Sequence, residues 1–425
     1  MRIFANSKNQ NTMLIRNIVM SLGALFLVQS LSAQISNPVA DRANDIQLNT
    51  ITTAVPFLLI APDSRSGAIG DAGVALSPDA ASIHWNPAKM SFSDKEFEVG
   101  LSYSPWLRTL VDDMNLAYLS GYRKLNKNQA VGAALRYFSL GEITFTDESG
   151  TALRTFKPAE FSIDVAFSQK LSERFSGGIG ARFVNSNLTG GITTNGSNSK
   201  PGRSAAVDLS VFYTNDDVKL GDKDAVWNWG ATISNIGTKM SYTDTQERDF
   251  IPANLRLGTA LTMELDEYNL LTFTVDANKL LVPTPAKYDQ ISGEIIAGKD
   301  PNVGVATSLF QSFYDAPGNV TDDGAGNIGV ESGSVLREEL REINLGGGLE
   351  YWYDNQFAFR TGYFFEHYTK GNRQFITLGA GLKYSVLAID MSYLISTTQQ
   401  NPLANTLRFS LRLEFADLSA SRGEG

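Results

Sequence analysis

Alternation of apolar and polar side chains, repeated through residues 95–416, constrains this chain more than any other feature. In Phe161–Ser168 (FSIDVAFS) and Leu407–Phe415 (LRFSLRLEF), apolar residues occupy every second position. A β-strand directs successive side chains to opposite faces, so each segment has the pattern of a strand with one apolar face. One such segment is a weak signal, but its repetition indicates a large all-β fold.

The alternation divides into about fourteen strands, and closed outer-membrane barrels usually contain an even number. The predicted strands begin near Glu96, Met114, Asn128, Ala159, Phe175, Ala205, Val226, Asn254, Asn269, Glu342, Gln356, Arg373, Val386 and Asn405.

Short and long connections follow one another along the chain. The long ones are Gly141–Pro158, Leu188–Ser204, Ile236–Pro252 and Leu281–Arg341, and tight turns separate them. This is typical of outer-membrane barrels, whose long loops face the outside of the cell. Only Thr214–Ala225 looks too long for the short-turn side. A soluble sandwich or propeller would also alternate, but it would not sort its loops in this way.

Composition excludes several other classes. No internal run approaches the ~20 apolar residues of a membrane helix, which agrees with a mean hydropathy of -0.13. The net charge of -9 argues against a nucleic-acid partner, because phosphate binding requires basic surface. The chain contains no cysteine, so neither disulfides nor thiolate metal sites can form.

The first 33 residues have the pattern of a secretory signal peptide, with basic residues before the apolar run Ile18–Leu31 and Ala33 at its end. The predicted organisation is therefore a signal peptide at 1–33, a leader and plug at 34–94, a barrel at 95–416 and a polar tail at 417–425. The polar leader 34–54 is expected on the periplasmic side.

Pro56–Phe92 is rich in Gly, Ala, Ser and Asp and follows no sustained period. Irregular backbone is stable at membrane depth only where protein surrounds it. We therefore predict that this stretch, the plug segment, fills the lumen of the barrel. Charges on the predicted inner face are mixed, which favours docking of Asp63, Arg65 and Asp71 over a pore selective for one sign.

No constellation of residues points to catalysis, so the chain is not expected to be an enzyme. Gly67, Gly70 and Gly73 are spaced GxxGxxG instead of GxGxxG, and no βαβ unit follows, so we expect no nucleotide or other cofactor. The glycines instead allow tight packing of the plug segment. His84 and His367 are the only histidines, so no metal site is expected. His84 is expected to form a local hydrogen bond.

Two outer segments could contact a partner. Ser104–Asp113 carries the apolar residues Pro105, Trp106, Leu107 and Leu110, which would lie in the outer headgroup layer or bind a protein. In the longest loop, Leu336 and Leu340 lie on one side of a predicted short helix with Ser334 as its N-cap. That helix could cap the outer mouth, or the loop could be a mobile surface segment.

The string APDSRSGAIGDAGVALSPDAASIHWNPAKMSF at Ala61–Phe92 carries a family resemblance. Its Asn86-Pro87-Ala88 resembles the hatch motif of the FadL superfamily of fourteen-stranded barrels, and the fuller string is similar to the PorV branch. SYSPWLRTLVDDMNLAYLSGYRKL at Ser102–Leu125 resembles the same branch. The plug residues that carry this likeness are Asp63, Arg65, Gly67, Gly70, Asp71, Gly73, His84, Trp85, Asn86 and Pro87.

The resemblance implies a non-enzymatic role in the type IX secretion system, at the outer membrane. PorV-like barrels bind the C-terminal signal domain of secreted cargo as it leaves the translocon, whose large subunit is SprA/Sov-like. They deliver the cargo to a PorU-like sortase attachment complex. The implied partners are therefore cargo, translocon, attachment complex and outer-membrane lipid. The alternative is a FadL-like transporter of hydrophobic small molecules, which needs an apolar path beside the hatch.

Overall fold

The computed structural model of the protein describes residues 48–415, except 108–112, 147–148, 192, 195–196, 244–247, 290, 323–327 and 399–405. The predicted signal peptide, residues 34–47 of the predicted leader, Leu110 and the predicted tail lie outside the described residues.

Fourteen antiparallel strands form one closed barrel. In chain order they are β1 Phe97–Pro105, β2 Met114–Asn126, β3 Gln129–Leu140, β4 Ala159–Lys170, β5 Phe175–Asn187, β6 Gly202–Leu220, β7 Lys223–Gly237, β8 Asn254–Glu264, β9 Asn269–Leu280, β10 Asn344–Tyr353, β11 Phe357–Phe365, β12 Gln374–Tyr384, β13 Leu387–Ser396 and β14 Leu407–Phe415. Every predicted strand start lies within three residues of the observed one.

The first strand pairs with the last, with Phe97 opposite Phe415 and Leu101 opposite Leu411. This pairing leaves no open sheet edge, so the strand backbones satisfy their hydrogen bonds within the ring. The predicted closed barrel of fourteen strands is confirmed.

The period of two separates an apolar outer face from a polar inner face. Leu101 is 53% exposed on the outside and pairs with the exposed Leu119 and Leu411. The neighbouring Ser102 and Ser410 point inward and are buried. An apolar outer band over a polar interior is the arrangement of a transmembrane barrel.

Tight turns lie at one end of the barrel and long connections at the other. The one turn that looked too long, Thr214–Ala225, is in fact tight, so this detail of the prediction was wrong. Strands β6 and β7 continue through it to the pair Leu220 and Lys223, with a bulge after Asn215. The acidic residues of this segment suggested a loop, but they belong to a hairpin that extends beyond the neighbouring hairpins.

Four short helical turns shape the plug segment. They are the 3₁₀ turn Pro56–Leu59, α1 Ser64–Gly67, α2 Ser82–Trp85 and the 3₁₀ turn Pro87–Phe92. Asp63 caps α1 by accepting the amide of Ser66 at 2.8 Å. The backbone between these turns follows no repeating pattern, as predicted for Pro56–Phe92.

The long connections carry two-stranded ribbons, Ile143–Thr146 with Ala152–Phe156, Thr193–Thr194 with Ser197–Asn198, Lys287–Tyr288 with Ile295–Ala297, and Val320–Asp322 with Ile328–Val330. The connection from β9 to β10 also contains helices α3 Val305–Gln311 and α4 Ser334–Arg341. None of the helices in the described part of the chain is long and apolar enough to cross a membrane.

Candidate functional site

The residues from Asn49 to Ser93 run from the long-loop end of the barrel to its short-turn end. At the long-loop end, the amide of Asn49 donates to the Thr369 carbonyl at 3.2 Å. At the short-turn end, the amide of Ser91 donates to Ser168 Oγ at 3.2 Å. The expectation that the leader lies on the periplasmic side is therefore wrong for residues 49–54, because they contact the long loops.

Charged side chains of the plug segment pair with the barrel wall. Arg65 contacts Glu350 on β10 at 2.7 Å, and Asp71 contacts Arg408 on β14 at 2.8 Å. On β9, Asp276 accepts the amides of Gly73 and Val74 at 2.7 and 2.9 Å. The mixed charges of the inner face thus form ion pairs and hydrogen bonds with this segment.

Other predicted motif residues hold the plug segment to itself. The carboxylate of Asp63 accepts from the indole Nε1 of Trp85 at 2.7 Å, so it bonds within the segment instead of to the wall. The Asn86 side chain accepts the amide of Ala88 at 3.1 Å and donates to the Val211 carbonyl on β6 at 2.9 Å. Pro87 begins the 3₁₀ turn that follows. The Asn-Pro-Ala motif therefore both turns the chain and ties it to the wall.

Two glycines are required by close approach. Gly70 has φ +70°, and a Cβ there would lie 2.4 Å from the Tyr363 carbonyl oxygen of β11. A Cβ on Gly73 would lie 2.4 Å from the Trp85 ring. A third predicted glycine, Gly67, lies against the side chain of Arg408. At Gly70 and Gly73 the close contacts leave no room for a larger side chain.

His84 is buried against the barrel wall. A local hydrogen bond was expected, but the partner of His84 lies on the wall. Its Nδ1 lies 2.7 Å from Nη2 of Arg136 on β3. The same guanidinium donates to the carbonyls of Phe57 and Leu58 at 3.2 and 2.9 Å. Arg136 therefore joins two parts of the plug segment that are distant in sequence.

An apolar cluster surrounds residues 54–58 at the long-loop end. We call it the outer-mouth cluster; its buried members are Ala54, Val55, Phe57, Leu58, Leu116, Phe138, Val184, Ala206, Met240 and Ile251. Phe57 stacks on Phe138 with ring centroids 6.2 Å apart. Trp106 is half-buried and packs against this cluster. Its neighbour Leu107 is half-buried, with φ 49°.

A cavity of about 320 Å³, the mouth cavity, lies between the start of the plug segment and the wall. Its plug side consists of residues 50–53 with Pro56, Leu59 and Ile60. Its wall side consists of Leu280, Glu342 and Asn344, with Glu366, Lys370, Gly371 and Arg373 of the β11–β12 connection. The plug side thus combines four apolar residues with three threonines, whereas the wall side is mainly polar.

Comparison with known proteins identifies the family. A family model described as "Type IX secretion system protein PorV" matches residues 42–287, which is more than half of the chain. The chain belongs to the PorV family. It is therefore a protein of the type IX secretion system, and with its closed barrel it resides in the outer membrane. No protein of curated function matches the sequence.

Similar solved structures include two toluene transporters and a FadL homologue. The Ralstonia pickettii toluene transporter TbuX is 10% identical, with a TM-score of 0.46, over 84% of this chain and 100% of its own. The Pseudomonas putida toluene transporter TodX is 14% identical, with a TM-score of 0.42, over 86% and 98%. A Pseudomonas aeruginosa FadL homologue is 12% identical, with a TM-score of 0.40, over 87% and 99%. Scores this low support no conclusion about this chain.

In this PorV-family barrel, helix α4 has the opposite orientation to that expected of an amphipathic helix. Glu338 and Glu339 face inward and are buried, whereas Leu336 and Leu340 are 66% and 59% exposed. The residue before the helix, Gly333, occupies the N-cap position, so the prediction of Ser334 as the cap was wrong. The Ser334 hydroxyl instead donates to the Glu331 carbonyl at 2.6 Å.

Two lysines explain the inverted helix. Lys279 at the end of β9 contacts Glu339 and Glu342 at 3.0 and 2.6 Å, and Lys370 contacts Glu338 and Glu342 at 2.7 and 2.9 Å. A buried carboxylate is stable only when it is paired and hydrogen-bonded. The ion pairs therefore fix which side of α4 faces inward. Glu338 and Glu342 are four residues apart, which was the sequence signal for an acidic helix face.

The β9–β10 connection exposes further apolar side chains. Phe310 on α3 is 72% exposed, and Phe313 and Tyr314 are also exposed. This connection lies mostly beyond the residues matched by the PorV family model. Of the predicted partner-binding residues, Leu336 and Leu340 lie in this connection. Pro105 is the last residue of β1 and precedes a different connection. Among the described residues, no group of three or more His, Asp or Glu could hold a metal ion.

Proposed function

We propose that this PorV-family barrel binds the C-terminal signal domain of secreted cargo on its extracellular face. It receives the cargo from the translocon and delivers it to the sortase attachment complex. One observation carries the binding step: α4 buries its carboxylates and exposes Leu336 and Leu340 on the long-loop side. Exposed apolar side chains on a folded, ion-paired loop are typical of a protein-binding surface.

The packing of the plug segment supports a platform over a pore. Inward-facing side chains on every side of the barrel contact it, including Glu98 on β1, Arg256 on β8 and Glu350 on β10. Ion pairs lie across the space between segment and wall. A transporter for hydrophobic molecules needs an apolar path there. The polar packing therefore favours handling of a protein outside the barrel.

The test is direct binding between the purified full-length barrel and a purified cargo signal domain. The variant Leu336→Asp/Leu340→Asp is expected to bind at least about tenfold more weakly, because central apolar contacts carry most interface energy. Both side chains are exposed, so folding should be unaffected.

Leu153→Asp is the matched control, because Leu153 is 67% exposed on a different long-loop ribbon. It should bind as the native protein does. Equal affinity of the double variant would remove α4 from the binding surface. Failure of the native barrel to bind any cargo signal domain would overturn the proposed function. Reduced insertion of the double variant into lipid, with cargo binding intact, would instead place α4 in the headgroup layer.

A further inference from the structure

Residues 50–53 form an extended edge whose backbone lacks hydrogen-bond partners within the described part of the chain. The flanking amides of Asn49 and Ala54 donate to Thr369 and Phe250, but no such bond involves Thr50, Ile51, Thr52 or Thr53. Thr50 and Thr52 are exposed, whereas Ile51 and Thr53 are half-buried. This alternation is that of a strand with one face against the protein.

The mouth cavity lies directly beside this edge. Its volume of about 320 Å³ offers space for side chains of an incoming segment. Ile51, Leu59 and Ile60 provide an apolar surface within it. An extended chain that pairs with an edge strand also needs pockets for alternate side chains. The edge and the cavity together supply both requirements.

The wall of the cavity contains an unsatisfied acceptor. Asn344 Oδ1 is buried and has no hydrogen-bond partner among the described residues. A buried carbonyl oxygen without a donor is unfavourable, so a rotation of this side chain that presents the oxygen to an entering N–H group would be favoured.

The charged groups of the wall are already neutralised by one another. Lys370 pairs with Glu342 at 2.9 Å, and Arg373 pairs with Glu366 at 2.7 Å. The cavity therefore offers no free charge for an ionic ligand. Unpaired backbone groups, an amide acceptor and an apolar surface fit a neutral polypeptide backbone better than a lipid or an ion.

We propose that residues 50–53 pair, as an added strand, with an extended segment of the cargo signal domain, one of whose side chains enters the mouth cavity. This inference rests on the proposed function, because it names how the same partner is held. The other candidate occupant is the chain's own segment before residue 48, which the experiment distinguishes.

The first measurement is amide hydrogen exchange of residues 50–53 in the full-length barrel, with and without a purified cargo signal domain. Fast exchange in the free barrel and slow exchange in the complex are expected. Slow exchange already in the free barrel would show that this edge is covered by the protein itself, and would overturn the inference. Unchanged exchange in a complex that still forms would also overturn it, while leaving the proposed function intact.

The second measurement uses proline, which removes one amide donor. Amides of alternate residues face the same strand edge. We expect one of Thr52→Pro and Thr53→Pro to weaken cargo binding about fivefold or more, and the other to have little effect. Thr52→Val and Thr53→Val keep the amides and are the controls, expected to bind normally.

If both proline variants show native gel mobility and bind cargo with the affinity of the native barrel, the inference is overturned. Loss of binding in the valine controls would do the same, because it would assign the effect to side chains. Absence of binding by the native barrel would count against the proposed function itself, so the two failures are separable.

Discussion

The guanidinium of Arg65 holds both carboxylate oxygens of Glu350, with Nη2 to Oε1 at 2.7 Å and Nε to Oε2 at 2.9 Å. The two residues are 285 positions apart in the chain. One belongs to the plug segment and the other to β10, so this bidentate pair fixes the segment to the wall. Such pairs are stronger and more directional than single hydrogen bonds.

Replacing Arg65 is expected to destabilise the barrel. In Arg65→Met the carboxylate of Glu350 loses one of its two arginine partners, the other being Arg360 at 2.7 Å. Loss of a buried partner should lower the free energy of unfolding by about 3 kcal/mol. Guanidinium unfolding followed by circular dichroism measures this change. Lys219→Met is the control, because the Lys219–Asp224 pair is exposed and should contribute less than about 1 kcal/mol. Equal effects of both variants would contradict the structural importance of the buried pair.

A methyl group at Gly70 should displace the plug segment from the wall. Gly70→Ala places Cβ 2.4 Å from the Tyr363 carbonyl oxygen and 2.7 Å from that of Gly347. Gly221→Ala is the matched control, because Gly221 has a similar φ of +66° and no atom within 4 Å of its Cβ. The free energy of unfolding of the control should fall by only about 1 kcal/mol, the cost of the left-handed conformation for alanine. We expect the temperature of heat-induced gel mobility change to fall clearly further for Gly70→Ala. Similar losses would mean that backbone conformation alone, and not close packing, requires the glycine.

A disulfide can test where the plug segment lies. The hydroxyls of Ser64 and Ser410 are 3.1 Å apart, and the native chain contains no cysteine. Ser64→Cys/Ser410→Cys should therefore oxidise to one disulfide, because side chains this close approach disulfide geometry. Mass spectrometry of linked peptides gives the readout. Ser64→Cys/Ser176→Cys should stay reduced, since Ser176 lies on β5 and contacts Ala88 instead. Linkage in the control pair alone would place the segment elsewhere.

The long loop is expected to become less stable as pH rises. Burial, together with the nearby Glu339 and Glu342, raises the pKa of Asp315 to about 6. A carboxyl group with a raised pKa favours the folded state when protonated, so its contribution is complete below its ordinary pKa of 3.8 and is lost as pH passes 6. Hydrogen exchange of residues 281–289, corrected for intrinsic rates, should show more protection at pH 5 than at pH 8.

Asp315→Asn should remove this pH dependence. Asp289→Asn is the control: amides of Ser292 and Ile291 lower the pKa of Asp289, so it titrates below the measured range. The same pH response in native protein and Asp315→Asn would show that another group causes it.

The local alternation of side chains was sufficient to predict the strands of the barrel wall. The strand count and the strand starts follow from alternation, because the side chains of each strand face lipid on one side and the lumen on the other. The hairpin around Leu220 and Lys223 was misjudged because polar residues continue a strand beyond the membrane as readily as they form a loop. The exposed Leu336 and Leu340 could be singled out, but their orientation could not.

Alternation along the chain predicted the closed fourteen-stranded barrel, and the string at Ala61–Phe92 predicted the family. Three features became visible only in the folded chain: residues 49–54 lie among the long loops, Arg65 pairs with Glu350, and α4 directs its carboxylates inward. The two groups of features differ in the sequence separation of the residues that interact. Strand alternation depends on neighbours along the chain. The buried carboxylates of α4 instead pair with Lys279 and Lys370, which are distant in sequence and which the closed barrel brings to the helix.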